Sequence, residues 1–343
     1  MTISAGLVGF GLSGRLLHTP LLLAAGVDIV GVVTRRAEQV RETLPQARAL
    51  DSLEALLTLR PLDLVVIATP NHLHTPQGLA CLAAGKHVVI DKPLALTLAE
   101  ADTLIAAAQR HDRTLAVFHN RRWDADFLTL QRLLSQGALG TLYGYEARWD
   151  RYRPQPAQRW RERLDAGGGV LFDLGSHLID QALCLFGTPQ WLQADVFAQR
   201  AGALVDDGFE IRMGTAQLRI ELGCTSIAAE HTLRYRLHGS SGSFLKGGMD
   251  PQETQLRQGL SPLDAAFGIE EPAQAGRFVA AQSGESRSEL SVRGDWLSFY
   301  RAMRHSIESG APAPVTAADA RRVLQIIEAA RRSSEQGRRV SIA

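Results

Sequence analysis

Lysine is nearly absent from this chain. Of its 37 basic residues only Lys86, Lys92 and Lys246 are lysines, and the rest are arginine. Arginine in practice stays protonated, whereas lysine gives up its proton when its surroundings favour that. In a chain that otherwise uses arginine, each surviving lysine marks a place where arginine can fail. Cysteine is equally scarce. Cys81, Cys184 and Cys224 are odd in number and far apart, which excludes a disulfide framework and a paired-cysteine zinc site and points to a reducing, cytoplasmic setting. An excess of either charge is missing too: 37 basic against 36 acidic residues leave a net charge of +1. That balance gives no general attraction to nucleic acid or to an anionic membrane. No apolar run approaches the ~18 residues of a membrane span, and the first residues lack the basic stretch of a leader. No internal repeat is visible. What remains is an ordinary globular composition, 45% apolar and 21% charged over 343 residues, enough at roughly 150 residues per domain for two domains.

The first 120 residues alternate short apolar runs with helical patterns. Ile3–Val8, Ile29–Val33, Leu64–Ala68, Val88–Ile90 and Leu115–Phe118 read as buried strands. Helices are expected from the glycines after Val8 through Leu23, near 75–84 and over 97–110. Strands buried on both faces and separated by helices predict a doubly wound parallel sheet. Beyond residue 120, strand-like stretches follow one another at 140–150, 191–199, 205–213, 216–223 and 231–238. Turn-rich residues such as Asp206-Asp207-Gly208 and Gly239-Ser240-Ser241-Gly242 stand between neighbours, the pattern of a mostly antiparallel sheet. The stretch 247–290 reads as loop, and 294–309 and 316–336 as helices. The expectation is an α/β Rossmann domain over 1–120 and an α+β domain with an open, mostly antiparallel sheet over 121–343.

Gly9-Phe10-Gly11-Leu12-Ser13-Gly14 stands between a predicted strand and a predicted helix. In that setting a G-x-G-x-x-G pattern is a dinucleotide fingerprint: a tight turn, a close backbone approach to the pyrophosphate, and close helix–strand packing. Outside that setting it would be a plain glycine-rich turn. An NAD site carries a carboxylate about 20 residues on, for the ribose 2′-hydroxyl. Here the corresponding stretch is Val33-Thr34-Arg35-Arg36. A hydroxyl and two guanidiniums suit a 2′-phosphate, so NADP(H) is expected rather than NAD(H), unless both arginines are only solvated helix-start residues.

Three further segments carry a family resemblance. Ala68-Thr69-Pro70-Asn71-His72-Leu73-His74, Ala84-Gly85-Lys86-His87-Val88-Val89-Ile90-Asp91-Lys92-Pro93 and Gly167-Gly168-Gly169-Val170-Leu171-Phe172-Asp173-Leu174-Gly175-Ser176-His177-Leu178-Ile179-Asp180 resemble the Gfo/Idh/MocA oxidoreductases. The second usually ends Glu-Lys-Pro in that family, so Asp91 is a conservative departure. Asn120-Arg121-Arg122-Trp123-Asp124, Arg148-Trp149-Asp150-Arg151-Tyr152-Arg153-Pro154 and Arg159-Trp160-Arg161 are similar to the scyllo-inositol dehydrogenase-like bacterial members. The resemblance implies an enzyme that moves a hydride between a secondary alcohol of a cyclic polyol or sugar and a nicotinamide. It also implies a homodimer or homotetramer joined through the open face of the second domain's sheet, and a Lys92–Pro93 bond that can be cis.

Oxidising an alcohol requires a base for the hydroxyl proton. Asp173 and His177 are four apart on a predicted helix and so share a face, with Asp180 three further on. Read alone, the trio suits an ordinary helix equally well. With the resemblance, Asp173 and His177 become catalytic and substrate-binding. Three such residues give too few specific ligands for a metal, and no metal is expected. Lys92 follows the strand Val88–Ile90 at the carboxyl end of the parallel sheet, where ligands bind, and Pro93 keeps its backbone extended. Its ammonium can serve both the reacting oxygen and the cofactor. Lys86 reads as structural. Thr69, Pro70, Asn71 and His74 should line the cofactor crevice, with His74 equally readable as a helix-start residue. Asn120 and Trp160 are further candidates for substrate contact, Trp160 within an aromatic and basic stretch that reads as a sugar-stacking wall, a sheet face or a subunit contact. The alternatives are a same-fold oxidoreductase acting on an aldose, amino sugar or tetrapyrrole, and a non-catalytic NADP-sensing regulator. A pure sensor has no need of Lys92, Asp173 and His177 together.

Overall fold

A computed structural model describes residues 3–157 and 159–342 of the chain. By packing, the chain divides into two compact units. The first comprises Met1–Asn120, Gln252–Phe267 and Asp295–Arg321, and the second Arg121–Pro251, Gly268–Gly294 and Arg322–Ala343. The chain thus first leaves unit 1 after Asn120 and returns to it twice, with segments that the sequence alone assigns to the second domain. Unit 1 holds these returning segments by specific bonds. The Trp296 N–H donates to Gln252 Oε1 at 2.7 Å and so joins the two returning segments to each other, and the Tyr300 hydroxyl meets His18 Nδ1 at 2.6 Å and joins the second to the first 120 residues.

Unit 1 contains a six-stranded parallel sheet of β1 (Ser4–Val8), β2 (Asp28–Val33), β3 (Arg48–Leu50), β4 (Leu64–Ile67), β5 (His87–Asp91) and β6 (Leu115–Phe118). Their order is β3-β2-β1-β4-β5-β6. The chain starts in the middle and winds outward in both directions, so β1 and β4 flank the point where the winding reverses. Ligands collect beyond the carboxyl ends of strands at such a point. β1 and β4 are buried throughout, as both-face burial requires. The helices expected near 75–84 and 97–110 are His74–Ala83 and Leu98–Arg110. The second begins with a reciprocal cap, in which Thr97 Oγ1 accepts the Glu100 N–H and the Glu100 carboxylate accepts the Thr97 N–H.

Unit 2 is built on a nine-stranded mixed sheet. It contains β7 (Leu142–Arg148), β8 (Trp191–Phe197), β9 (Gly208–Gly214), β10 (Arg219–Thr225), β11 (Leu233–Gly239), β12 (Gly242–Gly247), β13 (Gly276–Ala280), β14 (Ser286–Glu289) and β15 (Val340–Ser341). The order is β14-β13-β12-β11-β7-β10-β9-β8-β15. Among the described residues of this sheet, only β7 and β10 pair in parallel. The helix Gln252–Arg257, the strand β13 and the edge strand β14 correct the expectation of a loop over 247–290. The last of these reads Ser-Arg-Ser-Glu and is mostly exposed. An edge strand with polar side chains carries no alternation that marks it, and its pairing with β13 comes from tertiary context. One further correction concerns length and apolarity. Leu164–Phe186 is long and apolar enough by composition to cross a membrane, but 67% of its most apolar window is buried inside the protein. It also carries Asp173, His177 and Asp180. It is a core element.

Candidate active site

In unit 1 the glycine turn does three separate jobs. Gly9 has φ +99°, and a Cβ there would lie 2.6 Å from the Ala68 carbonyl oxygen, so β1 and β4 can meet only across glycine. A Cβ on Gly14 would lie 2.1 Å from the Gly9 carbonyl oxygen, which makes glycine obligatory where the following helix crosses the turn. A Cβ on Gly11 would meet nothing within 4 Å. That backbone faces open space, as an approaching pyrophosphate requires, so the turn fits a dinucleotide. The helix begins at Ser13 with a wide, π-type turn, in which the Thr19 N–H donates to the Gly14 carbonyl. Phe10 is buried, and Leu12 is exposed.

At the end of β2, the Arg36 N–H donates to Thr34 Oγ1 at 3.1 Å. Arg35 and Arg36 are exposed, and neither guanidinium has an ion pair or hydrogen bond among the described residues. Beyond β4, Thr69 Oγ1 donates to Gln77 Oε1 at 2.7 Å, and Asn71 is buried. His74 is fully buried, with Nδ1 2.8 Å from the Pro93 carbonyl oxygen and Nε2 2.9 Å from that of Thr69. Both ring nitrogens therefore face the backbone. Burial pushes its pKa down, against the raising influence of the Pro93 carbonyl and Asp91.

Lys92 follows β5, and its bond to Pro93 is cis. Its position is tied to the glycine turn by Asp91. One Asp91 oxygen accepts the Lys92 N–H at 2.9 Å, and the other accepts the Ser13 hydroxyl at 2.6 Å with His18 Nε2 3.7 Å away. Burial alone would raise the Asp91 carboxyl. The His18 imidazole beside it, the Ser13 hydroxyl and the Lys92 ammonium outweigh it and hold the carboxyl well below the usual carboxylate range. Lys86 Nζ donates to the Leu62 carbonyl at 2.8 Å, a bond that ties two loops of the sheet. Asn120 is buried just past β6.

In unit 2, Asp173 and His177 lie on one continuous helical stretch. Its first part, Leu171–Gly175, is π-type, and its remainder, Ser176–Phe186, is α-helical. Asp206 fixes the start of this stretch. Its backbone carbonyl accepts the Val170 N–H at 3.0 Å, and its carboxylate accepts the Leu171 N–H at 2.7 Å. The carboxylate also fills the place of the missing Gly169 side chain, since a Cβ there would lie 2.2 Å from Asp206 Oδ1. Burial is the main influence on Asp206 and raises its carboxyl.

Asp173 lies between two guanidiniums, with Arg161 Nε 3.3 Å from one oxygen and Arg151 Nη1 3.9 Å from the other. Burial lowers the pKa of Arg151. Asp173 opposes that shift, and the Arg153 and Arg121 charges add to it. The His177 ring, 6% exposed, lies 5.6 Å from that of Trp149, which carries Arg121, Arg151 and Arg234 over its faces. Asp180 is engaged elsewhere, in a two-point bond with Arg122 at 2.9 and 2.7 Å. Trp160 stacks with Arg161 at 4.6 Å and lines a recess of about 590 Å³ together with Pro156, Leu204 and neighbours. Asp173 and His177 do not line that recess. Among the described residues, no group of three His, Cys, Asp or Glu side chains could hold a metal ion.

Two family models match this chain: an oxidoreductase-family NAD-binding Rossmann fold over residues 3–119, and the C-terminal alpha/beta domain of the same family over 131–342. The chain belongs to the Gfo/Idh/MocA oxidoreductase family. Among its relatives is the scyllo-inositol 2-dehydrogenase (NADP(+)) IolW of Bacillus subtilis, 40% identical, with 99% of this chain and 96% of that protein covered. The uncharacterized oxidoreductase YdgJ of Escherichia coli is 38% identical over 95% of this chain and 94% of its own length. The solved structure of YvaA from Bacillus subtilis matches with a TM-score of 0.96 at 40% identity, covering 100% of this chain and 99% of that one.

Within this Gfo/Idh/MocA member, the glycine turn, Thr34–Arg36, Thr69–Asn71, His74 and Lys92 all lie at or beyond the carboxyl ends of β1, β2, β4 and β5. Asp173 and His177 share one helical stretch of the other unit. The supporting roles of Asp91, His18, Tyr300 and Asp206, and the places of Arg151 and Arg161 beside Asp173, emerge only in the folded chain. Asp91 had a visible signal as the departure from the family's Glu-Lys-Pro. Asp206 had none beyond its place in an Asp-Asp-Gly turn.

Proposed function

We propose that this oxidoreductase uses NADP(H) and moves a hydride between a secondary alcohol of a cyclic polyol or sugar and the nicotinamide. The observation that supports this most is the array at the start of the Asp173–His177 helix. It consists of an imidazole backed by Trp149, and a carboxylate flanked by two guanidiniums whose N–H groups make no hydrogen bond among the described residues. A ring bearing several hydroxyls needs such a mixture of acceptor and donors. In this reading His177 takes the hydroxyl proton, and Asp173 accepts a hydrogen bond from the substrate. The Lys92 ammonium stabilises the oxygen as it becomes an alkoxide. A nicotinamide cofactor held at the glycine turn, Thr69–Asn71 and Lys92 would supply the hydride acceptor or donor. Asn120 and Trp160 belong to the substrate side of the proposal.

The preference for NADP(H) over NAD(H) rests on Thr34, Arg35 and Arg36, a hydroxyl and two unengaged cations with no carboxylate beside them. The name of the 40% identical relative agrees with both the cofactor and the substrate class. A homo-oligomer joined through the exposed face of the nine-stranded sheet belongs to the same reading. That face presents Glu210, Arg212, Glu221 and Arg236. The test is a screen of inositol isomers and common aldoses with NADP, following absorbance of the reduced cofactor. Scyllo- or myo-inositol, or a pyranose of similar shape, should turn over while simple aliphatic alcohols do not. Silence from every cyclic polyol and sugar, with turnover of another class, would overturn the substrate assignment.

A further inference from the structure

His74 sits where two of the functional loops can be held by one side chain. The ring is fully buried and its nitrogens face two carbonyls: Nδ1 that of Pro93, next to Lys92, at 2.8 Å, and Nε2 that of Thr69, at the end of β4, at 2.9 Å. A neutral imidazole has one N–H, so its tautomer decides which carbonyl receives a hydrogen bond. Neither contact leaves a ring nitrogen for a ligand. Asp91 and Lys92 are the charged groups acting on the ring.

We propose that His74 is a positioning residue that spans the Lys92–Pro93 and Thr69–Asn71 loops, its one N–H donating from Nδ1 to the Pro93 carbonyl in one tautomer and from Nε2 to the Thr69 carbonyl in the other. One edge then serves the chemistry and the other serves cofactor binding. This rests on the proposed dehydrogenase reading for its catalytic arm alone. Asparagine places its amide nitrogen near Nδ1 of histidine, and glutamine places its own near Nε2, so each substitution keeps a donor at one edge and removes it from the other.

The experiment measures NADPH affinity by fluorescence and kcat with the polyol or sugar found active, for wild type, H74N and H74Q. Misplacing a reacting group by ~1 Å can cost about 100-fold. A loop freed at one carbonyl should cost part of that, about tenfold. H74Q should therefore lose about tenfold in kcat, with NADPH affinity within about twofold of wild type. H74N should show the opposite split, weaker NADPH binding with kcat nearly kept. Equal losses in both variants and both quantities would overturn the division of labour, and so would no loss in either. Should no polyol or sugar turn over, the substrate reading fails, and the affinity comparison still decides the clamp. As a control independent of folding of the variants, wild-type protein should show a slowly exchanging imidazole N–H from His74 in ¹⁵N-correlated NMR spectra. Rapid exchange at both nitrogens would count against the clamp.

Discussion

Two aspartates, one in each unit, do the same kind of work under opposite conditions. Asp91 organises the cofactor side by joining Ser13 of the glycine turn to the Lys92 backbone. Asp206 organises the second unit by fixing the start of the helix that carries Asp173 and His177. Asp91 is surrounded by donors and by His18 and Lys92, so its charge is favoured despite burial. Asp206 has backbone N–H groups and the Arg331 charge in its favour, and burial still wins. The difference shows that a carboxylate set among donors and cations beside Lys92 is kept ionised, whereas one that mainly shapes backbone can be left at a cost in solvation.

The largest effects should come from the residues that these aspartates position. A positioned acid–base group contributes about 100- to 10,000-fold, so Lys92→Arg and His177→Ala should each lower kcat by at least about 100-fold. A guanidinium is wider, planar and fixed in its protonation, so arginine should fail at position 92 nearly as badly as alanine. NADPH affinity should survive in both variants. If Lys92 and His177 act on one oxygen, the double variant will lose less than the product of the two losses. Single-turnover kinetics with cofactor titration measures this, and near-full kcat in Lys92→Arg would leave the lysine outside the chemistry.

The cofactor side has its own, smaller handle in Arg35. A hydrogen bond to a charged group is worth about 1.5–3 kcal/mol, so Arg35→Ala should raise the KM for NADPH by roughly tenfold or more. The KM for NADH should stay within about twofold, because a 2′-hydroxyl does not use that guanidinium. Equal efficiency with the two cofactors in the wild-type enzyme would remove the 2′-phosphate reading.

The same contrast explains what could be read from the sequence. The cofactor side lies in short apolar strands followed directly by their functional loops, so the run Leu64–Ile67 and the residues after it announce themselves locally. The substrate side depends on contacts between distant positions. Arg161 and Arg151 reach Asp173 across 12 and 22 positions, and Asp206 caps a residue 35 positions away. No periodicity records such pairings. The return of 252–267 and 295–321 to unit 1 was hidden for the same reason. The amphipathic helix Leu297–Ser309 shows that it has a face to bury, and nothing local shows against what.

Acid stability tests the two aspartates directly, and Asp91→Asn should show the larger change. Asn keeps an acceptor for Ser13 but loses the charge that faces His18. Because the folded carboxyl is held below its unfolded value of about 3.9, it contributes stability above that value. This contribution is lost as pH falls through the lower folded value. At neutral pH, Asp91→Asn should therefore cost about 1–3 kcal/mol, and the cost should shrink below about pH 4. Urea midpoints across a pH series measure this.

Asp206→Asn should have the smallest effect and the opposite sign of pH dependence. Asparagine keeps an oxygen for the Leu171 N–H and can fill the space over Gly169, so the cap survives and only the buried charge disappears. A carboxyl whose folded pKa lies above its unfolded one favours folding while protonated. That contribution is fully present below the unfolded value of about 3.9 and is lost as pH rises through the folded value. At neutral pH the wild type therefore carries an ionised buried group that the variant lacks. The variant should be as stable as wild type within about 1 kcal/mol, or slightly more stable. On acidification toward pH 4 the wild type should gain relative to Asp206→Asn, whereas any wild-type advantage over Asp91→Asn is lost only at still lower pH. Measured in the same urea series, the two differences should diverge in direction. If Asp206→Asn instead falls well below wild type at pH 7 and recovers in acid, the Asp206 carboxylate is stabilised as an ion, and the contrast between the two aspartates does not hold.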